Sequence, residues 1–548
     1  MDTSRLLRTS GAVLAAAALL ISGCALESTS PRASAAALPQ DRGDGQSWSP
    51  DAGAWRDPAR TAAVDGLTRP LDALPDGPPP SLRPYYAQKL TWRPCGTTGF
   101  ECATLTAPLD YDHPQSGDEV KLAVSRKKAT GPGKRLGALM VNPGGPGGSA
   151  VGYLQHYAGL GYPAAVRARY DMVAMDPRGV GGSEPITCFT DAEMDAYTKV
   201  DQTPDDATEV SELADAFISF ADGCANRSGK LLRHVSTVDA ARDMDVLRAV
   251  LGDGKLTYVG ASYGTFLGAT YAELFPSRVG RLVLDGALDP SLDARQVNRD
   301  QTAGFQTAFT SFAEDCIKRK DCPLGTGGTT AAGHRLGALF QQIDAQPLAT
   351  GKPRKLTESL ATTGVIAAMY DEAAWGVLRS ALSAATRGDG SPLLKLSDAY
   401  YERDGSGTYS NLMYANAAVN CLDLPAAFRS PGEVRSAVPD FEKASPVFGR
   451  NLAWSALTCA YWSAQATGRP HRISADGAAP ILVVGTTRDP ATPYPWAVAL
   501  ASQLSSGRLL TYEGDGHTAY TRGSGCVDAA INDYLLTATA PPATRKCT

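Results

Sequence analysis

Three residues that lie far apart in the chain supply a nucleophile, a carboxylate and a base, in that order. Ser262 stands at the centre of a Gly-x-Ser-x-Gly segment, and Asp489 and His517 follow it. A serine hydroxyl becomes a strong nucleophile when an imidazole takes its proton and a carboxylate orients that imidazole. These residue types predict acyl transfer through a covalent intermediate, with Ser262, Asp489 and His517 as the catalytic residues.

Each of these three residues follows a predicted strand, as a shared site requires. The strand before Ser262 runs into the segment at Gly260, and a helical stretch starts at Thr265. A sharp turn between strand and helix pushes the serine hydroxyl out of the sheet, and the order Ser, Asp, His is that of the α/β-hydrolases. The other histidines are interpreted as polar surface or core residues; they are His113, His156, His234, His334 and His471.

A glycine-rich loop, residues 142–148, provides the second part of this chemistry. Acyl transfer needs backbone N–H donors aimed at the oxygen that becomes charged, and glycines let a backbone approach a substrate closely. A phosphate-binding loop is the competing interpretation, but no Gly-Lys-Ser/Thr follows and the Gly-x-Gly-x-x-Gly spacing is absent. We therefore expect the oxyanion hole to consist of the N–H groups of Gly144 and Tyr263.

Short apolar runs, glycine-rich turns and helical stretches alternate along the chain and predict a mostly parallel sheet flanked by helices. The predicted strands are 120–124, 137–141, 171–175, 256–259, 281–284, 480–484 and 507–512. Between the strand that ends near Leu284 and the strand that starts near Pro480, the apolar spacing is helical. An insertion there would cover the carboxyl ends of the strands, where open α/β sheets bind ligands. The predicted fold class is thus α/β, with a large helical cap.

Five segments follow from this pattern. They are a signal peptide over 1–23, a Pro/Ala-rich tether over 24–85, the first part of the core over 86–289, the cap over 290–475 and the second part of the core over 476–548.

The first residues have the pattern of an export signal. Arg5 and Arg8 precede an apolar run that ends at Ile21, and small residues lead up to Cys24. The run is too short to span a membrane as a mature helix. Because it resembles the bacterial lipoprotein signal, it predicts an acylated Cys24 that anchors the protein at the outer face of the cell membrane. Secretory cleavage near Ala35 is the alternative, and it would release the protein.

The chain has eleven cysteines, so ten remain once Cys24 is set aside. An even number suits disulfides in an exported protein. Many connectivities are possible, and pairing neighbours in the sequence is the simplest: Cys95 with Cys102, Cys188 with Cys224, Cys316 with Cys322, Cys421 with Cys459, and Cys526 with Cys547. Because no Cys-x-x-Cys and no histidine cluster accompanies them, no metal site is expected.

Composition excludes two classes of protein. With 52 Lys and Arg against 57 Asp and Glu, the formal net charge is −5, whereas a general nucleic-acid binder shows a basic excess. A chain with 43% hydrophobic and 20% charged residues buries a large core and is not disordered.

The motifs together resemble the actinobacterial tripeptidyl aminopeptidases of the prolyl-aminopeptidase-like α/β-hydrolase family. The resemblance spans most of the chain from about Leu90 to Cys547. It rests on Leu90-Thr91-Trp92 with Cys95 and Cys102, Pro108-Leu109-Asp110-Tyr111, Asn142-Pro143-Gly144-Gly145-Pro146-Gly147, Asp176-Pro177-Arg178-Gly179, Gly260-Ala261-Ser262-Tyr263-Gly264, Cys421 with Asp423, Asp489-Pro490-Ala491-Thr492-Pro493, and Gly516-His517. Prolyl aminopeptidases carry histidine where this chain has Pro143, which favours the tripeptidyl branch.

The resemblance implies a serine exopeptidase that releases tripeptides from a free N-terminus, with peptides as substrates and no cofactor. It also implies substrate-binding roles for Asp423 and Thr492. A structural hydrogen-bond acceptor is the alternative for Asp423, and a turn residue is the alternative for Thr492. A carboxylesterase or a single-residue prolyl aminopeptidase would use the same three catalytic residues. A peptide-binding lipoprotein without catalysis is the alternative from another class.

Overall fold

The computed structural model describes residues 71–548 and builds them around a ten-stranded sheet. The strands are β1 (Arg93–Pro94), β2 (Glu101–Pro108), β3 (Glu119–Lys127), β4 (Gly137–Asn142), β5 (Tyr170–Met175), β6 (Leu256–Ala261), β7 (Val279–Asp285), β8 (Ile481–Arg488), β9 (Gly507–Asp515) and β10 (Thr544–Cys547). Their order in space is β1-β2-β3-β5-β4-β6-β7-β8-β9-β10. The pairs from β1 to β5 are antiparallel, and those from β5 to β10 are parallel.

The central strands form because their side chains are apolar on both faces. In β4, Ala138 and Met140 pack into one hydrophobic cluster, while Leu139 and Val141 pack into another on the opposite face. Such strands need helices on both sides, since a parallel sheet is buried on both faces.

Helices cover both faces and connect the parallel strands. Those of the first part of the chain are α1 (Arg83–Ala87), α2 (Ala150–Tyr153), α3 (Gly159–Gly161), α4 (Ala164–Arg167), α5 (Asp191–Tyr197), α6 (Ala207–Ser228), α7 (Thr237–Val250) and α8 (Tyr263–Leu274). Those between β7 and β8 are α9 (Ala294–Ile317), α10 (Thr329–Ala345), α11 (Glu358–Met369), α12 (Trp375–Ala385), α13 (Ser391–Tyr400), α14 (Leu412–Asp423), α15 (Pro431–Ala444) and α16 (Gly449–Ser455). The last two are α17 (Tyr494–Gln503) and α18 (Gly525–Thr537).

The predicted fold class is confirmed, including the place of the insertion. β7 ends at Asp285 and β8 starts at Ile481, each within a residue of the expected boundary. The insertion is helical, from α9 to α16, and it begins and ends on neighbouring parallel strands. The cap therefore stands next to the carboxyl ends of the central strands.

A part of the chain that the sequence assigns to the core packs on the cap instead. Val210 and Phe217 of α6 share a hydrophobic cluster with Phe441 of α15 and Trp454 of α16. The cap is thus built from two segments, one on each side of the nucleophile in sequence.

The segment assigned to the end of the tether is ordered against the core. Leu74 N donates to the carbonyl oxygen of Leu274 at 2.8 Å, and Tyr86 Oη donates to Asp245 at 2.8 Å. Arg278 reaches the carbonyl oxygen of Pro75 at 2.8 Å. The boundary at residue 85 is therefore wrong, because residues 71–87 make specific contacts with the core.

The predicted strands 120–124 through 507–512 correspond to β3 through β9. β1, β2 and β10 were not predicted, and they extend the two edges of the sheet. Within residues 71–548 no helix has the length and apolar character needed to cross a membrane.

Candidate active site

The parallel strands bring the chemistry-bearing residues to one edge of the sheet. β4, β6, β7, β8 and β9 are consecutive neighbours, and their carboxyl ends carry the glycine-rich loop, Ser262, Asp285, Asp489 and His517. Because carboxyl ends of parallel strands meet at the same edge, residues hundreds of positions apart converge there.

Ser262 occupies a strained turn between β6 and α8. Its backbone has φ 56° and ψ −126°, which a residue with a side chain rarely adopts. The turn requires a glycine on each side of the serine. A Cβ at Gly260 would collide with the carbonyl oxygen of Gly264, and one at Gly264 would lie 2.9 Å from Asn142 Oδ1. The N–H of Ser262 donates to the carbonyl oxygen of Asp285 at 2.9 Å. The turn presents the Ser262 side chain, which is partly exposed.

His517 and Asp489 form a close pair. His517 Nδ1 lies 2.9 Å from each carboxylate oxygen of Asp489. The carboxylate is 2% exposed and also accepts from the N–H groups of Ala491, Thr492 and Thr518, at 2.9, 2.8 and 3.1 Å. These donors fix the carboxylate, which in turn fixes the tautomer with a proton on Nδ1 and leaves Nε2 to act as a base.

The cap contributes to the position of the imidazole. The N–H of His517 donates to the carbonyl oxygen of Tyr370 at 2.9 Å, and the Tyr370 ring stands edge-on to the imidazole with centroids 5.5 Å apart. Asp371, the next residue, pairs with Arg522 at 2.9 Å. The loop that carries His517 is thus held from the cap side as well as from the sheet.

Ser262 and His517 share an anchor at the end of β7. Asp285 accepts from Ser262 N, and a Cβ on the following residue, Gly286, would lie 3.2 Å from His517 Cε1. Among residues 71–548 no hydrogen bond joins Ser262 Oγ to His517. Catalytic hydrogen bonds are often long without substrate and tighten in its complex.

The expected role of Gly144 as an oxyanion donor is wrong in this geometry. Its N–H already donates to Asn142 Oδ1 at 2.9 Å. Its Cα instead faces the nucleophile, since a Cβ there would lie 2.9 Å from Ser262 Cβ and 3.0 Å from Tyr263 N. Within the part of the chain that the structure describes, the N–H groups of Gly145 and Tyr263 have no acceptor. Gly145 directly follows the glycine that faces the nucleophile, so the loop offers it as the candidate donor beside Tyr263.

Thr492 does not lie where a substrate would contact it. Its side chain is 3% exposed, its Oγ1 is 3.3 Å from His517 Nδ1, and its N–H donates to Asp489. It lies on the carboxylate side of the imidazole, so its contacts are those of a residue that holds the Asp489 turn.

Asp423 is not available to a substrate ammonium group either. It is 8% exposed and accepts from both Thr237 N, at 2.8 Å, and Thr237 Oγ1. Burial raises the pKa of its carboxyl to about 7. The expectation of a substrate contact is corrected, because both oxygens are used within the fold.

Two buried residues near the site were missed by sequence reasoning. Asp285 accepts from Ala519 N at 3.0 Å and from Tyr520 N at 2.8 Å, and burial raises the pKa of its carboxyl to about 6. Asn142 supports the glycine loop as described above. Both are the last residues of parallel strands, and this position was the available signal.

The ten cysteines of the described chain pair with their sequence neighbours. The disulfides are Cys95–Cys102, Cys188–Cys224, Cys316–Cys322, Cys421–Cys459 and Cys526–Cys547. Over residues 71–548 no group of three or more His, Cys, Asp or Glu side chains is placed to hold a metal ion. Cys24 lies outside the described residues.

The fold and this arrangement define the class of protein. A serine at a strained strand-to-helix turn, a histidine paired with a buried carboxylate, and free N–H groups beside the serine are the components of a serine hydrolase with the α/β-hydrolase fold.

Comparisons with known proteins agree with this class. A family profile described as "alpha/beta hydrolase fold" matches residues 137–364, and one described as "TAP-like protein" matches residues 445–547. The chain is 38% identical over 491 residues to "Serine protease Hip1" of Mycobacterium tuberculosis, which covers 85% of this chain and 92% of that protein. It is 39% identical over 459 residues to "Carboxylesterase B" of the same species, covering 81% and 86%. It is 34% identical over 465 residues to "Tripeptidyl aminopeptidase" of Streptomyces coelicolor, covering 80% and 81%.

With this identity over most of its length, the chain belongs to the tripeptidyl aminopeptidase-like family of α/β-hydrolases.

Proposed function

We propose that this protein is an exported serine peptidase that releases tripeptides from the free N-terminus of peptides. The observation that carries the proposal is the His517–Asp489 pair, with Nδ1 at 2.9 Å from both carboxylate oxygens, beside the strained turn of Ser262. This is the arrangement that makes a serine hydroxyl reactive.

The reaction runs in two steps that use the same groups. Ser262 Oγ attacks the substrate carbonyl carbon while His517 Nε2 takes its proton, and the carbonyl oxygen becomes an oxyanion held by the N–H groups of Gly145 and Tyr263. His517 then gives the proton to the leaving amine as the C–N bond breaks. Water attacks the acyl-enzyme by the same route and regenerates Ser262. Asp489 stabilises the charged imidazole throughout.

Peptides are proposed as substrates because two of the relatives bear the names of peptidases. The tripeptide length rests on the Streptomyces relative and on Pro143 in place of the histidine of prolyl aminopeptidases. The cap beside the carboxyl ends of the strands gives the fold a means of limiting how much of a peptide enters.

A carboxylesterase is the second candidate. The observation that favours it is a relative at 39% identity that carries the name of an esterase. Both reactions use the same catalytic residues, so the two candidates differ only in which substrates the protein hydrolyses.

A three-substrate comparison tests the proposal. Purified protein is given a tripeptide anilide with a free N-terminus, the N-acetylated form of the same anilide, and a simple acyl ester, with Ser262→Ala as the control. We expect the free tripeptide anilide to be cleaved at least about 100-fold better than the blocked one, because acetylation removes the charged ammonium group that an aminopeptidase recognises. Equal cleavage of both anilides, or turnover of the ester alone, would rule out the aminopeptidase.

Covalent labelling separates both enzymes from a peptide-binding protein without catalysis. A fluorophosphonate should attach to Ser262 in the wild type and should not label Ser262→Ala. A wild type without label at Ser262 would leave binding as the function.

The anchor at Cys24 is part of the same proposal. Acylation at Cys24 would keep the protein on the outer face of the membrane, and several acyl chains hold far better than one. Cys24→Ala should shift the protein from the membrane fraction into the medium. If its distribution matches that of the wild type, the protein is not anchored through this residue.

A further inference from the structure

One cap helix is linked to both of the residues that carry the proposed oxyanion donors, directly to the glycine-rich loop and through Thr237 to Tyr263. This helix, α14, lies in the sequence between the nucleophile and its two partners, and it contains no residue of the proposed reaction itself. The inference drawn from it rests on the proposed function, because it concerns the same oxyanion hole.

The first turns of α14 lie against the glycine-rich loop. Asn416 Nδ2 donates to the carbonyl oxygen of Pro146 at 3.0 Å. A Cβ at Gly147 would collide with the carbonyl oxygen of Leu412 and would lie 3.1 Å from Asn416 N. The loop that carries the Gly145 N–H is thus in backbone contact with the helix, so its position depends on the helix.

The last residue of α14 reaches the other donor through one threonine. Asp423 accepts from Thr237 N at 2.8 Å and from Thr237 Oγ1, and this Oγ1 lies 2.5 Å from Tyr263 Oη. The three residues are 8%, 1% and 6% exposed. In such a buried chain of hydrogen bonds the position of each group depends on its neighbours. A shift of Asp423 would therefore also move Thr237 and Tyr263.

The end of α14 that holds Asp423 is itself fixed. Cys421 is bonded to Cys459, and the carbonyl oxygen of Leu422 accepts from Thr467 N at 2.8 Å. With 12 residues the helix is about 18 Å long and behaves as a stiff rod between its two contacts.

We propose that α14 is a brace that sets the distance between the Gly145 and Tyr263 N–H groups, with Asn416 and Asp423 as its positioning residues. An oxyanion hole works because its donors are fixed before the charge appears, and geometry loosened by a fraction of an ångström weakens it. A rigid element that contacts the loop of one donor, and is linked through Thr237 to the side chain of the other, is a direct way to fix them relative to each other.

Four variants test the brace, and a fifth, Thr237→Ser, restores the hydroxyl that Thr237→Val removes. Asn416→Ala removes the contact with the loop, and Thr237→Val removes the link to Tyr263 while keeping the backbone donor to Asp423. Tyr263→Phe breaks the same link from its other end and leaves the Thr237–Asp423 contact intact. Tyr414→Phe is the matched control, because it removes a hydrogen bond of the same helix to Phe189, at 3.4 Å, away from the donors.

The measurement separates transition-state binding from folding and from substrate binding. For each variant, fluorophosphonate titration of Ser262 gives the concentration of active sites, from which kcat is calculated. KM and the inhibition constant of a peptide aldehyde are measured on the same samples. Removal of a whole donor costs about 10²- to 10³-fold in kcat, so a displaced donor should cost about 10-fold. We expect that loss in Asn416→Ala, Thr237→Val and Tyr263→Phe, with KM unchanged and aldehyde binding weakened by the same factor. Thr237→Ser should restore kcat, and Tyr414→Phe should equal the wild type.

A purely structural helix would give a different result. The variants would then lose thermal stability while each titrated active site kept the wild-type kcat, and this outcome would overturn the brace. The assays use both the tripeptide anilide and an acyl ester. If the wild type hydrolyses only the ester, the peptidase proposal fails and the brace is judged on ester hydrolysis. If the wild type hydrolyses neither and Ser262 takes no label, both proposals fall.

Discussion

The imidazole of His517 lies in a tightly filled position. Asp489 holds one edge at 2.9 Å, and the Tyr370 ring packs against it at a centroid distance of 5.5 Å. Gly286 closes a third side, where a Cβ would lie 3.2 Å from His517 Cε1 and 3.1 Å from Thr492 Oγ1. The position of the imidazole therefore depends on the missing side chain at Gly286 as well as on Asp489 and Tyr370.

Gly286→Ala should therefore reduce activity by moving the imidazole. The glycine has φ +68°, so the new methyl group adds backbone strain to the crowding. A misplacement of about 1 Å can cost 10²-fold, and we expect a loss of kcat/KM of about that size in steady-state kinetics. Gly477→Ala is the control, because Gly477 has φ +86° with nothing within 4 Å of the added Cβ. Equal activity of the two variants would contradict the account.

Asp285 gives a prediction about pH. Burial raises the pKa of its carboxyl to about 6, above the ordinary value of about 4. Between these two values the folded protein binds more protons than the unfolded chain, so this group lowers the free energy of unfolding as pH rises from about 4 to about 6. In Asp285→Asn this contribution is gone. Urea unfolding at several pH values should show the variant gaining stability relative to the wild type across that window and a constant difference above it. A difference that does not change with pH would contradict the raised pKa.

Among the elements, the parallel strands were the easiest to predict from sequence. β4 through β9 each contain a short apolar run, and the residues at their carboxyl ends could be placed at one edge by the rule for parallel sheets. β1 has two residues, and β10 is the polar segment Thr544–Cys547, so neither has such a run. β2 alternates buried residues with more exposed ones over Ala103–Ala107, the pattern of a strand with one face on the core.

The finer assignments depended on contacts that no local pattern contains. The sequence does not show that Gly144 is unavailable as an oxyanion donor. Its N–H donates to the side-chain oxygen of Asn142, and only the folded loop reveals this hydrogen bond. The sequence could not decide between a substrate-binding and a structural role for Asp423. Its hydrogen-bond partner, Thr237, is far from it in the chain and adjacent to it only in the fold. The convergence of Ser262, Asp489 and His517 could be predicted, because each follows a parallel strand and the carboxyl ends of these strands meet at one edge.

One buried ion pair joins a helix, a strand and a loop of the core. Arg178 is 1% exposed, binds Asp243 of α7 through two bonds of 2.7 Å, and donates to the carbonyl oxygens of Pro108 at the end of β2 and of His234. Arg178→Met leaves the Asp243 carboxylate buried without a cation, with the hydroxyl of Tyr111 as a remaining donor at 2.8 Å. We expect a loss of about 3–5 kcal/mol in the free energy of unfolding, measured by chemical denaturation.

The matched control for this pair is exposed. Arg227 pairs with Glu193 at 2.9 Å on the surface, and Arg227→Met should cost no more than about 1 kcal/mol. If the two variants lose the same free energy of unfolding, the buried ion pair contributes no more to stability than the exposed one.

On the scale of the whole molecule, the catalytic unit begins earlier than its composition suggests. Residues 71–87 place Leu74 and Tyr86 against the hydrophobic core and bring backbone carbonyls to Arg278. A chain that starts at Leu90 should lose at least about 3 kcal/mol in the free energy of unfolding, at about 1 kcal/mol for each lost hydrogen bond plus the apolar burial. The reference is a chain that starts at Leu71. Equal stability of the two chains would show that residues 71–87 do not hold the core.

The central claim, that Ser262 releases tripeptides from a free N-terminus, is tested most directly by mass spectrometry of the products from one defined peptide of about ten residues. The account predicts that the wild type yields the first three residues as a tripeptide together with the shortened remainder, and that Ser262→Ala yields no product. Fragments of another length, cleavage of the N-acetylated peptide, or the same products from Ser262→Ala would contradict it.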